Sequence, residues 1–309
     1  MTGFCWLASY PKSGNTWFRL VAANLAAESG QPVDINNIPE SGGIASGRGA
    51  FDTTLLVESG LLTHDEADTM RPMLYRGWAE PEDGTFENAM SLASDYVDPE
   101  RQTRLVKTHD AWTVLPDGTP LMGGATASAR AIIIVRDPRD VAASLANHLG
   151  VDIDEAIAFM ADGNSTFAGG VKGQSSQLRQ RLLRWGDFYR SWLDQDDILV
   201  HLVRYEDMQA DPVAAIGEAL AFAGRTTSLD ALARAVDNAS FERLRTQEDD
   251  GVFREAPPGR RFFRQGRSGG WRDELTADQV ASIEASQIDM MDRLGYIRIA
   301  QDAPPEHKE

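Results

Sequence analysis

Apolar and polar residues fall in blocks along this chain, and the first block is the most informative. Phe4-Cys5-Trp6-Leu7-Ala8-Ser9 is an apolar run of strand length. It breaks at Tyr10-Pro11-Lys12-Ser13-Gly14, and apolar positions then resume at helical spacing from Thr16 to about Ser29, with Gly30 and Pro32 as stop signals. Residues 104–108 read as a short buried strand. Residues 131–135 (Ala-Ile-Ile-Ile-Val) read as a central strand covered on both faces. Pro138 suits the first turn of a helix running to about Leu149. Leu178, Leu182, Trp185, Tyr189 and Trp192 recur at spacings of three and four, which predicts an amphipathic helix. A further strand is expected over 198–203, with helices over about 212–223, 228–237 and 240–246. The last helix opens at Thr276, where Gln279 completes a capping box, and ends at Gly295.

Between these elements the pattern weakens. Residues 36–50 read as a Gly-rich loop, 52–100 as short helices broken at Pro72, Pro81 and Pro99, and 251–272 as a long Gly, Pro and Arg-rich loop. Residues 151–176 hold no period past Met160, and the polar tail 301–309 is expected to be disordered. Strands separated by helices predict one α/β domain over 1–300, with a mainly parallel central sheet flanked by helices.

Composition narrows the classes. Of 309 residues 42% are hydrophobic, enough for a sizeable core. The single Cys5, inside the first strand, excludes an internal disulfide and a cysteine-rich metal site, and no other cluster has metal-ligand spacing. A net charge of −17 argues against nucleic-acid and membrane partners. No apolar run approaches the length of a membrane span and the N-terminus lacks a targeting pattern, so a cytoplasmic protein is expected.

Chemistry concentrates where the strands end: Ser9 to Lys12, Lys107 to His109, Arg136 to Arg139 and Arg204 to Asp207. In open parallel sheets this is where ligands bind. The first loop is an anion site by construction, because a helix N-terminus presents free N–H groups and a positive dipole end. Lys12, Ser13, Asn15 and Thr16 add charge and polar groups there. It is not a Walker A loop, since Lys12 precedes the single Gly14.

Tyr10-Pro11-Lys12-Ser13-Gly14-Asn15-Thr16-Trp17 closely resembles the 5′-phosphosulfate loop of the cytosolic sulfotransferase family. Five further segments resemble that family's motifs in its order: Lys107-Thr108-His109, Arg136 to Ser144, Arg204 to Met208, Ser240-Phe241, and Phe263 to Arg272. The resemblance spans residues 4 to about 295 and implies a P-loop-kinase-like sulfotransferase fold. It implies 3′-phosphoadenosine 5′-phosphosulfate (PAPS) as donor, a small-molecule hydroxyl as acceptor and no metal. The roles it carries over make His109 the general base, with Lys12 and Lys107 stabilising charge at the transferring group. Lys12, Ser13, Gly14, Asn15, Thr16 and Trp17 would hold the 5′ end and stack on adenine. Arg136, Ser144, Arg264, Gln265 and Gly266 would hold the 3′-phosphate, and Tyr205, Ser240 and Phe241 would flank the base.

The charge pattern agrees with two anion subsites, since residues 256–272 contain five Arg and no acidic residue. Arg139 reads as one partner of a surface ion pair with Asp137 or Asp140, Trp271 as the anchor of the late loop, and Trp185, Tyr189 and Trp192 as core. His64, His148, His201 and His307 have no comparable motif context. Three positions depart from the family: Asn15 stands for Thr, keeping a hydrogen-bonding group, Gln265 for Lys and Gly270 for Asp. Glu274-Leu275-Thr276-Ala277 matches the family's dimer signature poorly, so its homodimer does not carry over. The acceptor pocket is expected from 36–100 and 151–176. A nucleotide or nucleoside kinase-like phosphotransferase, or a nucleotide-binding protein without catalysis, remains the alternative.

Overall fold

The computed structural model describes residues 3–27, 30–36, 38, 43–79, 103–170, 176–251, 253–257 and 259–297. β1 (Phe4–Ser9) turns into α1 (Asn15–Ala26), and α2 (Arg48–Leu55) and α3 (His64–Ala79) precede β2 (Arg104–Thr108). β3 (Arg130–Val135) feeds α4 (Pro138–Leu149) and α5 (Ile153–Ala161). The short strands β4 (Thr166–Phe167) and β5 (Gln180–Arg181) pair ahead of α6 (Trp185–Leu193). β6 (Leu199–Arg204) runs into α7 (Tyr205–Ala210), α8 (Pro212–Phe222), α9 (Leu229–Asn238) and α10 (Phe241–Asp250). α11 (Trp271–Glu274) and α12 (Ala277–Arg293) follow.

β1, β2, β3 and β6 form one parallel sheet in the order β2-β1-β3-β6. Both faces are covered, as the unbroken apolar runs require. Phe4, Trp6, Ala8, Ile133 and Val135 pack into one helical layer with Trp185, Phe188 and Trp192. Cys5, Leu7, Ile132 and Ile134 pack into the other with Phe18, Val21 and Leu220.

Two expected elements differ. The amphipathic helix begins only at Trp185; Leu178 and Leu182 are buried but extended. Their backbone is claimed elsewhere: Leu178 N–H donates to Ser46 O, Arg181 N–H to Asp110 Oδ1, and Ala111 N–H to Arg181 O. Pro72 does not break a helix, for α3 runs through it. Burial of Arg71, Leu74, Tyr75 and Trp78 on the adjoining turns outweighs one missing N–H. Pro81, Pro99 and the tail 301–309 lie outside the described residues.

Arg71 joins this helix to the end of β2. Its guanidinium is fully buried and grips Asp110 with both Nη atoms, at 3.1 and 2.5 Å, while Nη1 also meets Asp68 at 3.2 Å. Removing one member of such a network leaves buried charge uncompensated. Arg71→Met is therefore expected to lower the unfolding free energy by about 3–5 kcal/mol in urea titrations. Arg190→Met, which removes a half-exposed partner of Asp187, is expected to cost less than about 1 kcal/mol.

Candidate active site

The register levels the carboxyl ends of the four strands, with Ala8 opposite Thr108, Ser9 opposite Ile134 and Val135 opposite Arg204. The chain departs to opposite sides of β1 and β3, so a crevice opens between the loops that follow these two strands. A cavity of about 740 Å³ lies there. Its wall brings together Lys12, Gly14, Asn15, Thr16, Trp17, Lys107, His109, Arg136, Ser144, Tyr205, Ser240, Phe241, Arg264, Gln265 and Gly266. Ser13 is the exception: its fully buried hydroxyl meets Tyr189 Oη at 3.1 Å and faces the core.

The first loop is held in an unfavourable backbone state. Lys12 has φ +68° and Gly14 φ +104°. The left-handed region costs a side-chain-bearing residue about 1–2 kcal/mol, so the lysine is placed there against its preference. At Gly14 a Cβ would also stand 2.6 Å from Tyr205 Cδ2. Tyr189 Oη braces the loop by contacting Ser13 and donating to Ile134 O. Asn15 Nδ2 donates back to Leu7 O and Ser9 Oγ, so its donor ties the loop to β1. Its Oδ1 is buried without a partner.

Electrostatics at this end are dominated by crowding. Burial pushes the Lys12 pKa down to about 7; Arg136 and Lys107 push the same way, and Glu255 opposes them. The Lys12 ammonium rests 3.6 Å above the Phe262 ring. Glu255 was invisible to motif reading, since it lies just before the acid-free stretch. Thr16 Oγ1 donates to its Oε2 at 2.9 Å, Arg19 Nη1 meets Oε1 at 2.8 Å, and Lys107 Nζ is 3.9 Å from Oε2. Burial alone would raise this carboxyl, but Lys107 and Arg19 hold it well below the usual range. In the free protein a carboxylate thus takes the hydroxyl that Thr16 would offer to an anion.

His109 sits at the end of β2 with Nδ1 2.7 Å from Ser9 O. A carbonyl only accepts, so Nδ1 carries the proton and Nε2 keeps its lone pair. Burial, followed by the Lys107 charge, pushes the pKa down to about 3. The imidazole is neutral at physiological pH, the form a general base needs.

At the other end, Arg136 lies 4.4 Å from the Tyr205 ring and donates to Lys12 O and Arg267 O, linking the first loop to the late one. Its Nε is buried without a partner. The late-loop arginines are less available than their sequence suggests. Arg264 is paired with Glu274, which also accepts from Gln265 at 2.7 Å, and Arg267 is paired with Asp273. Asp140 is no ion-pair partner of Arg139; it accepts the N–H groups of Gly269 and Trp271 at 2.7 and 2.9 Å, fastening that loop. Arg139 is buried, not a surface residue, and bridges Asp137 and Glu284 beneath Trp271. Trp17 donates to Ala239 O and meets Tyr205 edge-on at 6.0 Å, while Phe241 packs on the bare backbone of Gly266. All three rings line the cavity. Ser240 caps α10 without a side-chain bond.

His148, set aside by motif reading, also lines the cavity. Tyr189 acts on the first loop from outside it and Asp140 on the late loop from within its wall; their partners lie distant in sequence, so no local signal marks them. The strain at the first loop gives a direct test. Gly14→Ala is expected to cost about 1–3 kcal/mol of unfolding free energy. Gly30→Ala, which has φ +65° but nothing within 4 Å of the new Cβ, is expected to cost less. Equal losses in chemical denaturation would mean that the Tyr205 contact yields freely.

A family model described as a sulfotransferase domain matches residues 4–295. A flavonol 3-sulfotransferase from Flaveria bidentis is 24% identical over 291 residues, covering 90% of this chain and 78% of that protein. A mouse sulfotransferase solved in complex with PAP superposes with a TM-score of 0.56 at 19% identity, covering 98% and 90% of the two chains. Retinol dehydratase in a complex with retinol and PAP gives 0.53 at 20% identity, covering 93% and 80%. These structural likenesses agree with the parallel sheet and its flanking helices. With the family model spanning nearly the whole length, the chain belongs to the sulfotransferase domain family.

Proposed function

We propose that this sulfotransferase moves a sulfuryl group from PAPS to the hydroxyl of a small-molecule acceptor, with His109 as general base. The observation that carries the reading is a cavity with two cationic ends and a neutral histidine: Lys12, Lys107 and the α1 N-terminus at one end, and Arg136 with Ser144 at the other. A donor with phosphates on both sides of a nucleoside offers an anion to each cationic group. The unpartnered Arg136 Nε offers a donor to its 3′-phosphate, and the Trp17, Tyr205 and Phe241 rings in the same wall offer apolar contact to its adenine. The flavonol 3-sulfotransferase and the complexes of related folds with PAP, retinol and androsterone support a nucleotide donor and a small organic acceptor.

The donor supplies the sulfuryl group on its 5′-phosphate. His109 Nε2 takes the proton from the acceptor hydroxyl as the new O–S bond forms. The S–O bond to the phosphate breaks, and the leaving oxygen's charge is met by Lys12 and the first-turn N–H groups of α1. Lys107 adds positive charge beside the transferring group. Arg136 and Ser144 hold the far phosphate, which keeps the reacting centre in line. For the 5′ end to enter, Glu255 must release Thr16, and Arg264 must trade Glu274 for phosphate.

Calorimetry with 3′-phosphoadenosine 5′-phosphate (PAP) and ATP tests the donor. PAP is expected to bind at least about tenfold more tightly, because ATP lacks the second, separated phosphate. The same titration reads Lys12. Its pKa near 7 in the free protein must rise beside a bound anion, so protons are taken up at pH 8, where phosphates are fully ionised. That uptake should disappear in Lys12→Met, and the lysine contribution should shrink at pH 6, where Lys12 is already charged. Preference for ATP would favour a phosphotransferase.

His109→Ala separates catalysis from binding. Transfer is expected to fall about 10²–10⁴-fold, with the PAP dissociation constant within about threefold of wild type. A parallel loss of PAP affinity would make His109 a structural residue.

A further inference from the structure

Glu255 stands in the wall of the cavity without belonging to any of the six motifs. A turn closed by Ala256 N–H on Phe253 O at 3.0 Å presents it. The turn is held from behind: Phe253 stacks on Phe263 at 5.4 Å and meets Phe262 edge-on at 4.9 Å, and Arg254 N–H donates to Asn36 Oδ1. From there the carboxylate reaches across to α1. Oε2 accepts from Thr16 Oγ1 at 2.9 Å, Oε1 meets Arg19 Nη1 at 2.8 Å, and Lys107 Nζ stands 3.9 Å from Oε2. Three other acidic side chains share the wall, and each is bound elsewhere: Asp140 to the late-loop backbone, Asp237 to Arg243 and Glu274 to Arg264. Among the described residues, Glu255 is the wall carboxylate that occupies the end next to α1.

Its position is that of a ligand. A helix N-terminus flanked by lysines calls for an anion, and this carboxylate supplies one from within the chain. Glu255 lies in a turn, so it can let go without unmaking a helix or a strand. Being tethered, it returns at an effective concentration of millimolar order, enough to contest the site with a ligand at micromolar levels. The contest changes as the reaction proceeds. On the sulfuryl-transfer reading the donor brings a phosphate and a sulfuryl group to Lys12, Lys107 and Thr16, and the product keeps only the phosphate. The product's hold is weaker by the contacts of the missing group, whereas the hold of Glu255 on Thr16 and Arg19 is the same before and after.

We propose that Glu255 is a built-in competitor for the 5′ end of the nucleotide: it fills the anion site of the free protein, yields to the donor, and returns to speed release of the product. In this role it is displaced during the transfer step, so it regulates the site and is not a catalytic residue. The inference rests on the sulfuryl-transfer reading and adds to it how the site is satisfied before the donor binds and how it is cleared afterwards.

The test measures binding of PAP and of adenosine 3′-phosphate to the full chain as wild type, Glu255→Gln and Glu255→Asp. The first variant keeps the shape and loses the charge; the second keeps the charge and falls one methylene short of Thr16. Both are expected to bind PAP about tenfold more tightly, the worth of one charge-assisted hydrogen bond. The gain should appear as slower PAP dissociation in stopped-flow displacement, with Trp17 in the cavity wall as the fluorescent reporter. Adenosine 3′-phosphate brings no anion to the 5′ end, so its affinity is expected to be the same in all three proteins. The proposal is overturned if Glu255→Gln leaves PAP affinity unchanged or weakens it, or if Glu255→Asp binds PAP as wild type does. Equal gains for both ligands would mark a general charge effect and overturn it too, as would unchanged PAP dissociation. Loss of folding in both variants, read by circular dichroism, would make Glu255 a structural residue and end the proposal. In each of these cases PAP still binds wild type and the transferase reading stands. Failure of wild type to bind PAP would bring down that reading itself, and the competitor with it.

Discussion

Gathering Lys12, Lys107 and Arg136 around one buried cavity costs free energy that the free protein recovers only in part. Burial removes the hydration of these charges, and their mutual repulsion lowers the affinity of Lys12 for its own proton. Glu255 is the local answer: its carboxylate takes Thr16 and Arg19 and stands near Lys107. Under the proposed reading a donor phosphate, with more charge and more acceptor oxygens, replaces this carboxylate, and its affinity is a difference between two occupied states. This ties the backbone strain at Lys12, the lowered pKa and the late-loop ion pairs to a single demand.

The rest of the structure keeps that charge in place. Asp140 fastens the late loop by two backbone N–H groups, and Arg136 bridges the first loop to it through Lys12 O and Arg267 O. Tyr189 reaches from the opposite layer to Ser13 and to the end of β3. Beneath His109, the Asp110 carboxylate joins Arg71 of α3 and the N–H of Arg181. The general-base candidate therefore stands on a strand end pinned by buried ions, and its tautomer is set by Ser9 O. Rigid supports around a strained loop are what electrostatic preorganisation requires.

Much of this was legible in the residues alone. The apolar runs at 4–9 and 131–135, the break at Lys12 to Gly14 and the six motifs in order were enough to anticipate a parallel sheet and to gather all but one of the expected cavity residues. These features are local, because strand burial, turn conformation and helix starts depend on neighbours within a few positions. The errors were also local in origin. Leu178 and Leu182 kept a helical spacing, yet Asp110 and Ser46 claimed that segment's backbone; Pro72 looked like a stop, yet buried neighbours carried the helix through it.

By itself the sequence determined the α/β class, the chemistry offered at each strand end and the family. Only the tertiary structure decided which charges are free. Glu255, Glu274 and Asp273 sit beside the arginines and threonine that motif reading left open, and Asn15 turns its donor to β1. The reason is physical: a hydrogen bond or ion pair set by how the loops fold, whether across 6 residues or 239, leaves no periodicity, whereas it sets the protonation and availability of a buried group.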